Sequence, residues 1–150
     1  MEIKIGIGLD QIKFGMDRNK IQQLLGEPTE KELFSYSEDE DDLTEVWHYD
    51  DQELSLSFDE ADDWRLIMIA GSDESFKLNG KEVVGKSLDE VAALIKEMGH
   101  LDFEVEEVSE KDKVIKLEEE SLNIWFDLDE ASELQWGPKW SDDNTPIFPA

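Results

Sequence analysis

Gly15-Met16-Asp17-Arg18-Asn19-Lys20-Ile21-Gln22-Gln23-Leu24-Leu25-Gly26-Glu27-Pro28 reads as a short capped helix that opens a strand-rich unit. Asp17 stands at the N-cap, where its carboxylate accepts a bond from a free amide of the first turn. Ile21, Leu24 and Leu25 fall at i, i+3 and i+4 and make one apolar face. Gly26 supplies the left-handed C′ position, and Pro28 prevents continuation. A helix this short is held by packing rather than by propensity. Seventy residues later Gly85-Lys86-Ser87-Leu88-Asp89-Glu90-Val91-Ala92-Ala93-Leu94-Ile95 repeats the pattern. Here Ser87 and Glu90 form a capping box. Leu88, Val91, Leu94, Ile95 and Met98 give a broad apolar stripe, and Gly99 ends it.

A second match runs at an offset of 68, where residues 47–59 align with residues 115–127 and Leu66 falls on Leu134. Strands are expected at Val46 to Tyr49, at Leu54 to Phe58 with serines alternating, and at Leu66 to Ala70. Acidic turns, Asp50 to Glu53 and Asp59 to Asp63, separate them. Asn79-Gly80 marks a hairpin between Phe76 to Leu78 and Glu82 to Val84. Later strands are expected at Phe103 to Val108, Val114 to Leu117, Leu122 to Leu128 and Leu134 to Trp136. Ile3, Ile5 and Ile7 alternate as a lead-in strand. The run Glu38 to Asp42 reads as a solvated loop. Ser141 to Ala150 reads as an extended tail pinned by Ile147 and Phe148.

These elements predict an α+β fold of two tandem helix-plus-antiparallel-sheet repeats packed as one body. Residues 1–75 form the first unit, and residues 76–150 form the second with its extended tail. The units are expected to join edge to edge in one sheet, with both helices on one face.

The string Phe14-Gly15-Met16-Asp17, Ile21, Leu24-Leu25-Gly26-Glu27-Pro28 resembles the opening helix of a small bacterial repeat module. It is the module of the beta-lactamase inhibitor protein and of the small outer-membrane-assembly lipoproteins. The inhibitor carries it twice. The similarity covers residues 9–136 in outline and is specific over residues 14–28. It implies the fold and a habit of binding proteins through a sheet face. The chain departs in lacking an export signal, the lipidation cysteine and the inhibitor's disulfides. In being small and acidic it also resembles cytosolic toxin-immunity proteins.

Composition narrows the partners. The chain has 150 residues, 40 acidic against 14 basic, for a net charge of −26. The acidic excess is spread over both halves. Such a surface repels phosphate backbones and anionic membranes, so neither nucleic acid nor membrane is an expected partner. It attracts basic proteins. With no cysteine, disulfides, thiolate metal sites and cysteine nucleophiles are excluded. Met1-Glu2-Ile3-Lys4-Ile5-Gly6 shows no leader, and no apolar stretch reaches membrane-spanning length, which gives the expectation of a cytoplasmic chain.

Motifs for chemistry are scarce. His48 and His100 lack a metal-ligand spacing and read as structural or surface residues. No nucleophile elbow is present. Gly6 and Gly8 lack the lysine of a phosphate loop. The acidic turns lack the register of a calcium loop. No catalytic residue, metal or cofactor is therefore expected. Trp47 and Trp136 are expected in the core. Trp64, in Asp62-Asp63-Trp64-Arg65, is expected to be exposed together with Trp125 and Trp140. Aromatic anchors among acids suit a basic protein, so the expected partner-binding residues are Trp64, Trp125, Trp140, Asp62 and Asp63. The function read from this pattern is a non-enzymatic, acidic, protein-binding domain of inhibitor or immunity type. The alternatives are a hydrolase with a carboxylate-lined cleft and a structural domain whose charge serves solubility.

Overall fold

Two capped helices set the frame of a computed structural model that describes residues 1–35, 43–100, 102–142 and 145–149. Helix α1 spans Arg18–Leu25, and the Asp17 carboxylate accepts the Lys20 amide at 2.8 Å. Ile21 is its buried residue. Gly26 ends it with φ 82° and ψ −166°, a positive φ with an extended ψ rather than the left-handed helical cap expected. Helix α2 spans Leu88–Glu97. The Ser87 hydroxyl accepts the Glu90 amide at 3.2 Å and donates to Glu90 Oε1 at 3.3 Å. Val91, Leu94 and Ile95 are its buried stripe. Gly99 follows with φ 94°.

Strands β1 (Glu2–Lys4), β2 (Gly8–Leu9) and β3 (Ile12–Lys13) precede α1. Strands β4 (Glu30–Ser35), β5 (Leu43–Tyr49), β6 (Leu54–Asp59) and β7 (Arg65–Gly71) follow it. Strands β8 (Lys77–Leu78) and β9 (Lys81–Glu82) precede α2, and their Asn79-Gly80 turn has the two positive φ values that such a hairpin needs. Then come β10 (Glu104–Glu107), β11 (Asp112–Leu117), β12 (Leu122–Asp127), β13 (Glu130–Trp136), β14 (Lys139–Asp142) and β15 (Thr145–Ile147). The fold is α+β and mostly sheet.

The large sheet runs β10-β11-β12-β13-β7-β6-β5-β4, with every neighbour antiparallel. Its seam is the β7–β13 pair, Ile69 opposite Trp136, Ala70 opposite Gln135 and Gly71 opposite Leu134. A second sheet runs β3-β2-β1-β8-β9 and contains a parallel pair, β1 with β8. Both sheets take strands from residues 1–75 and from residues 76–150.

Local irregularities recur along the chain. A 3-10 turn at Asp50–Gln52 joins β5 to β6, and another at Glu118–Glu120 joins β11 to β12. The ladders shift at Ser57/Phe58 and at Trp125/Phe126. Beyond that point the alignment of Leu66 with Leu134 fails. Leu66 pairs with Phe58, and the residue opposite Phe126 is Ala131. Leu134 lies opposite Ile124, the place that Ile69 takes opposite Leu56. The cause is the longer β6–β7 connection, residues 60–64 against residues 128–129.

One face of the large sheet carries the core. Trp47, Tyr49, Leu56, Phe58, Ile69, Ile124, Phe126 and Trp136 join the buried residues of both helices in one cluster. Each fully buried Leu, Ile or Phe side chain contributes roughly 1.5–3 kcal/mol. Trp47 and Phe58 meet with ring centroids 5.0 Å apart. Trp136 Nε1 donates to the Gly8 carbonyl at 3.0 Å, a buried bond that ties the two sheets together.

Several elements depart from expectation. The lead-in strand stops at Lys4, because the Ile7 amide turns back to the Lys4 carbonyl at 3.0 Å, and Ile7 is exposed. Strand β4 was not signalled by alternation. It is an edge strand, mostly exposed along its length. The tail is not simply extended: β14 and β15 form a hairpin, and Phe148 packs against the core while Ile147 is exposed. The acidic run Glu38 to Asp42 lies outside the described residues. No helix among the described residues is long and apolar enough to cross a membrane.

Candidate functional site

Alternation along the central strands turns a second set of side chains away from the core. Across the seam they are Ser55 and Ser57 of β6, Met68 and Ala70 of β7, Glu133 and Gln135 of β13, and Asn123 and Trp125 of β12. Trp125 lies here, as its place between Ile124 and Phe126 requires. Its indole N–H donates to Gln135 Oε1 at 3.3 Å. Opposite it stands Val114, which is fully buried yet outside the main core cluster. Trp125 is thus half-buried and covers an apolar spot on this face.

Gln135 links Trp125 to a second tryptophan. A depression of about 400 Å³ is lined by Gln135, Asn123, Met68, Ile67, Lys116 and the indole of Trp140. Trp140 is 41% exposed and Met68 is 40% exposed. Glu118 and Ser121, from the β11–β12 turn, also line it. Lys116 is ion-paired with Glu106 of β10 at 2.5 Å, and the Glu106 carboxylate raises its pKa. Glu30 and Glu32 of β4, Glu133 of β13 and Glu104 of β10 share this face by register.

Trp64, Asp62 and Asp63 lie elsewhere. They sit in the β6–β7 connection, where Glu60–Asp62 form a 3-10 turn and Asp63 and Trp64 have φ of 57° and 58°. Trp64 is half-buried against the core, not freely exposed. The Arg18 guanidinium of α1 lies over its ring at 4.6 Å and reaches Glu45 at 3.4 Å. This tryptophan holds the first helix to the sheet. Burial pushes the Asp62 carboxyl upward, and the charges of Asp59 and Asp63 add to the shift. The structure therefore brings Trp125 and Trp140 together at Gln135 and leaves Trp64 with Asp62 and Asp63 at the turn. Met68, Asn123 and Gln135 were missed in the sequence. Their signal was strand alternation, hidden in β7 by the ladder shift that skips Ile67.

His48 has more company than its sequence context suggests. Its Nδ1 lies 2.8 Å from the Ser55 hydroxyl, and its Nε2 lies 3.7 Å from Glu32 Oε1. Nε2 is buried and makes no hydrogen bond. The carboxylate is beyond hydrogen-bond distance, so it does not orient the ring as a triad acid would. His48 instead bridges β5 to β6. Among the described residues, no group of three or more His, Asp or Glu side chains is arranged to hold a metal ion.

No family model matches the chain, and no curated protein sequence matches it. A partly similar solved structure is that of an extracellular protein containing an SCP domain from Bacillus anthracis str. Ames. It is 15% identical, with a TM-score of 0.49, and the match covers 83% of this chain and 43% of that one. The chain thus spans less than half the length of that protein. The expectation of a cytoplasmic location is corrected at this point. It stood on the lack of a leader at Met1 to Gly6, which fixes no location, and the solved structure is of an extracellular protein.

Proposed function

We propose that the chain is a non-catalytic module that binds a basic protein on the outward face of its large sheet, in the manner of an inhibitor or immunity protein. The observation that carries this reading is the meeting of Trp125 and Trp140 at Gln135, on a face the core does not use. Met68 adds an exposed apolar surface beside them. Aromatic residues ringed by polar ones are the usual composition of an interface anchor. The net charge of −26 supplies the attraction for a basic partner.

The architecture is read as a duplicated helix-plus-four-strand unit. The N-caps Asp17 and Ser87 are 70 residues apart, while the 3-10 turns and ladder shifts are 68 apart. The likeness of residues 14–28 to the inhibitor and lipoprotein module supports the same reading, since that module also uses a sheet face.

The test is capture of basic proteins at low and moderate salt, followed by kinetics on variants of the face. Trp125→Ala is expected to speed dissociation by roughly thirty-fold, as a hot-spot loss of about 2 kcal/mol implies. Glu133→Gln is expected to slow association and weaken its salt dependence. Unchanged kinetics in both variants would overturn the assignment of this face.

A further inference from the structure

We infer that the depression beside Trp140 is a receptor for an arginine side chain of the bound partner. This rests on the binding reading above and names the group that the face recognises.

The molecule already shows how it treats its aromatic rings. Arg18 lies 4.6 Å from the Trp64 ring centre, Lys31 lies 4.6 Å from Trp47, Arg65 lies 5.8 Å from Phe148 and Lys96 lies 6.0 Å from Phe103. Each of these rings takes a cation from its own chain. Among the described residues no cation lies over Trp140, although its indole is 41% exposed. The cation nearest to hand in the depression is Lys116, and Glu106 holds it at 2.5 Å.

The rest of the lining accepts hydrogen bonds. Glu118 brings a carboxylate, and Asn123 and Gln135 bring side-chain carbonyls. Ile67, skipped by the β6–β7 ladder, contributes to the wall. The orientation of Gln135 is fixed chemically. An indole N–H only donates, so Oε1 is the atom that faces Trp125, and it keeps a second lone pair. A flat indole beside a carboxylate and amide oxygens matches a guanidinium, which is planar and carries five donors in a fixed fork. A lysine ammonium has neither the plane nor the fork. The depression, about 400 Å³, has room for such a group.

The experiment titrates the full chain with three capped tripeptides, Gly-Arg-Gly, Gly-Lys-Gly and Gly-citrulline-Gly. The readouts are the Trp140 indole N–H resonance and the Kd. Citrulline keeps the shape of arginine without its charge. The arginine peptide is expected to shift the Trp140 signal and to bind about ten-fold tighter than the other two. Trp140→Ala and Glu118→Gln are each expected to weaken it about five-fold or more while leaving the net field of the protein nearly intact. Glu118→Gln keeps the test valid should loss of Trp140 disturb the hairpin. Equal binding of the arginine and lysine peptides, or arginine binding indifferent to both variants, overturns the inference. The two proposals fail separately. Arginine binding without capture of any basic protein defeats only the protein-binding reading. A captured partner lost in Trp125→Ala, with no arginine selectivity, defeats only this one.

Discussion

The ring of Phe76 stands where a side chain on Gly71 would begin: a Cβ there would fall 1.9 Å from Cε2 and 2.6 Å from Cδ2. Gly71 lies opposite Leu54 in β6, and Trp136 lies opposite Leu122 in β12. One half of the sheet therefore fills this place with its own indole. The other leaves it to a ring delivered by the following segment. Phe76 is fully buried, so it has little room to withdraw. Gly71→Ala is expected to cost about 1–3 kcal/mol by overpacking. Combining it with Phe76→Leu should cost less than the sum of the two single changes, because both act on one volume. Urea denaturation of the four proteins measures this, and strict additivity would contradict the contact.

The β12–β13 turn holds a smaller strain. Leu128 and Asp129 have φ of 49° and 67°, and Leu128 is 74% exposed. A leucine gains nothing from this conformation, whereas asparagine tolerates it and is favoured in two-residue hairpin turns. Leu128→Asn is expected to raise stability by up to about 1 kcal/mol, read as a higher Tm. A lower Tm would show that the exposed leucine makes a stabilising contact.

Asp62 supplies a pH dependence of definite sign. Its folded-state pKa lies above the ordinary 3.8, first through burial and then through Asp59 and Asp63. The folded chain therefore holds this proton more tightly than the unfolded chain. Ionising Asp62 as pH rises from 3.8 through the raised value lowers stability, and the loss is complete above it. Asp62→Asn is expected to melt higher than the parent at about pH 7, with the gap closing as pH falls below 3.8. A gap that is the same at both pH values would remove the titration from the explanation.

What the chain discloses before folding is mostly what is local. Asp17, Ser87 and Asn79-Gly80 mark their caps and turn through contacts within a few residues, and all three stand where expected. Strand β4 was silent because an edge strand open on both faces needs no alternation. The Leu66 and Leu134 alignment failed because register depends on turn length and on a ladder shift, neither of which shows in side-chain polarity. The same holds for the site. The direction of Trp125 followed from its neighbours in β12. The cover over Trp64 came from Arg18, 46 positions earlier in the chain, and no local pattern announces it.

Salt separates two electrostatic effects that oppose each other. The described ion pairs, such as Arg18 with Glu45 at 3.4 Å, Lys81 with Glu97 at 2.9 Å and Lys139 with Glu120 at 3.3 Å, weaken when screened. Pairs of this exposed kind contribute about 0–1 kcal/mol each. Against them stands the self-repulsion of 40 acids that only 14 basic residues offset. Even with every base paired, a net charge of −26 remains. Raising ionic strength from about 0.01 to about 0.1 M shortens the screening length from ~30 Å to ~10 Å and removes much of that repulsion. The repulsion is the stronger of the two effects, so Tm is expected to rise over this range. Thermal melts at fixed pH in sodium chloride decide it. A flat or falling Tm would mean that the ion pairs outweigh the excess charge.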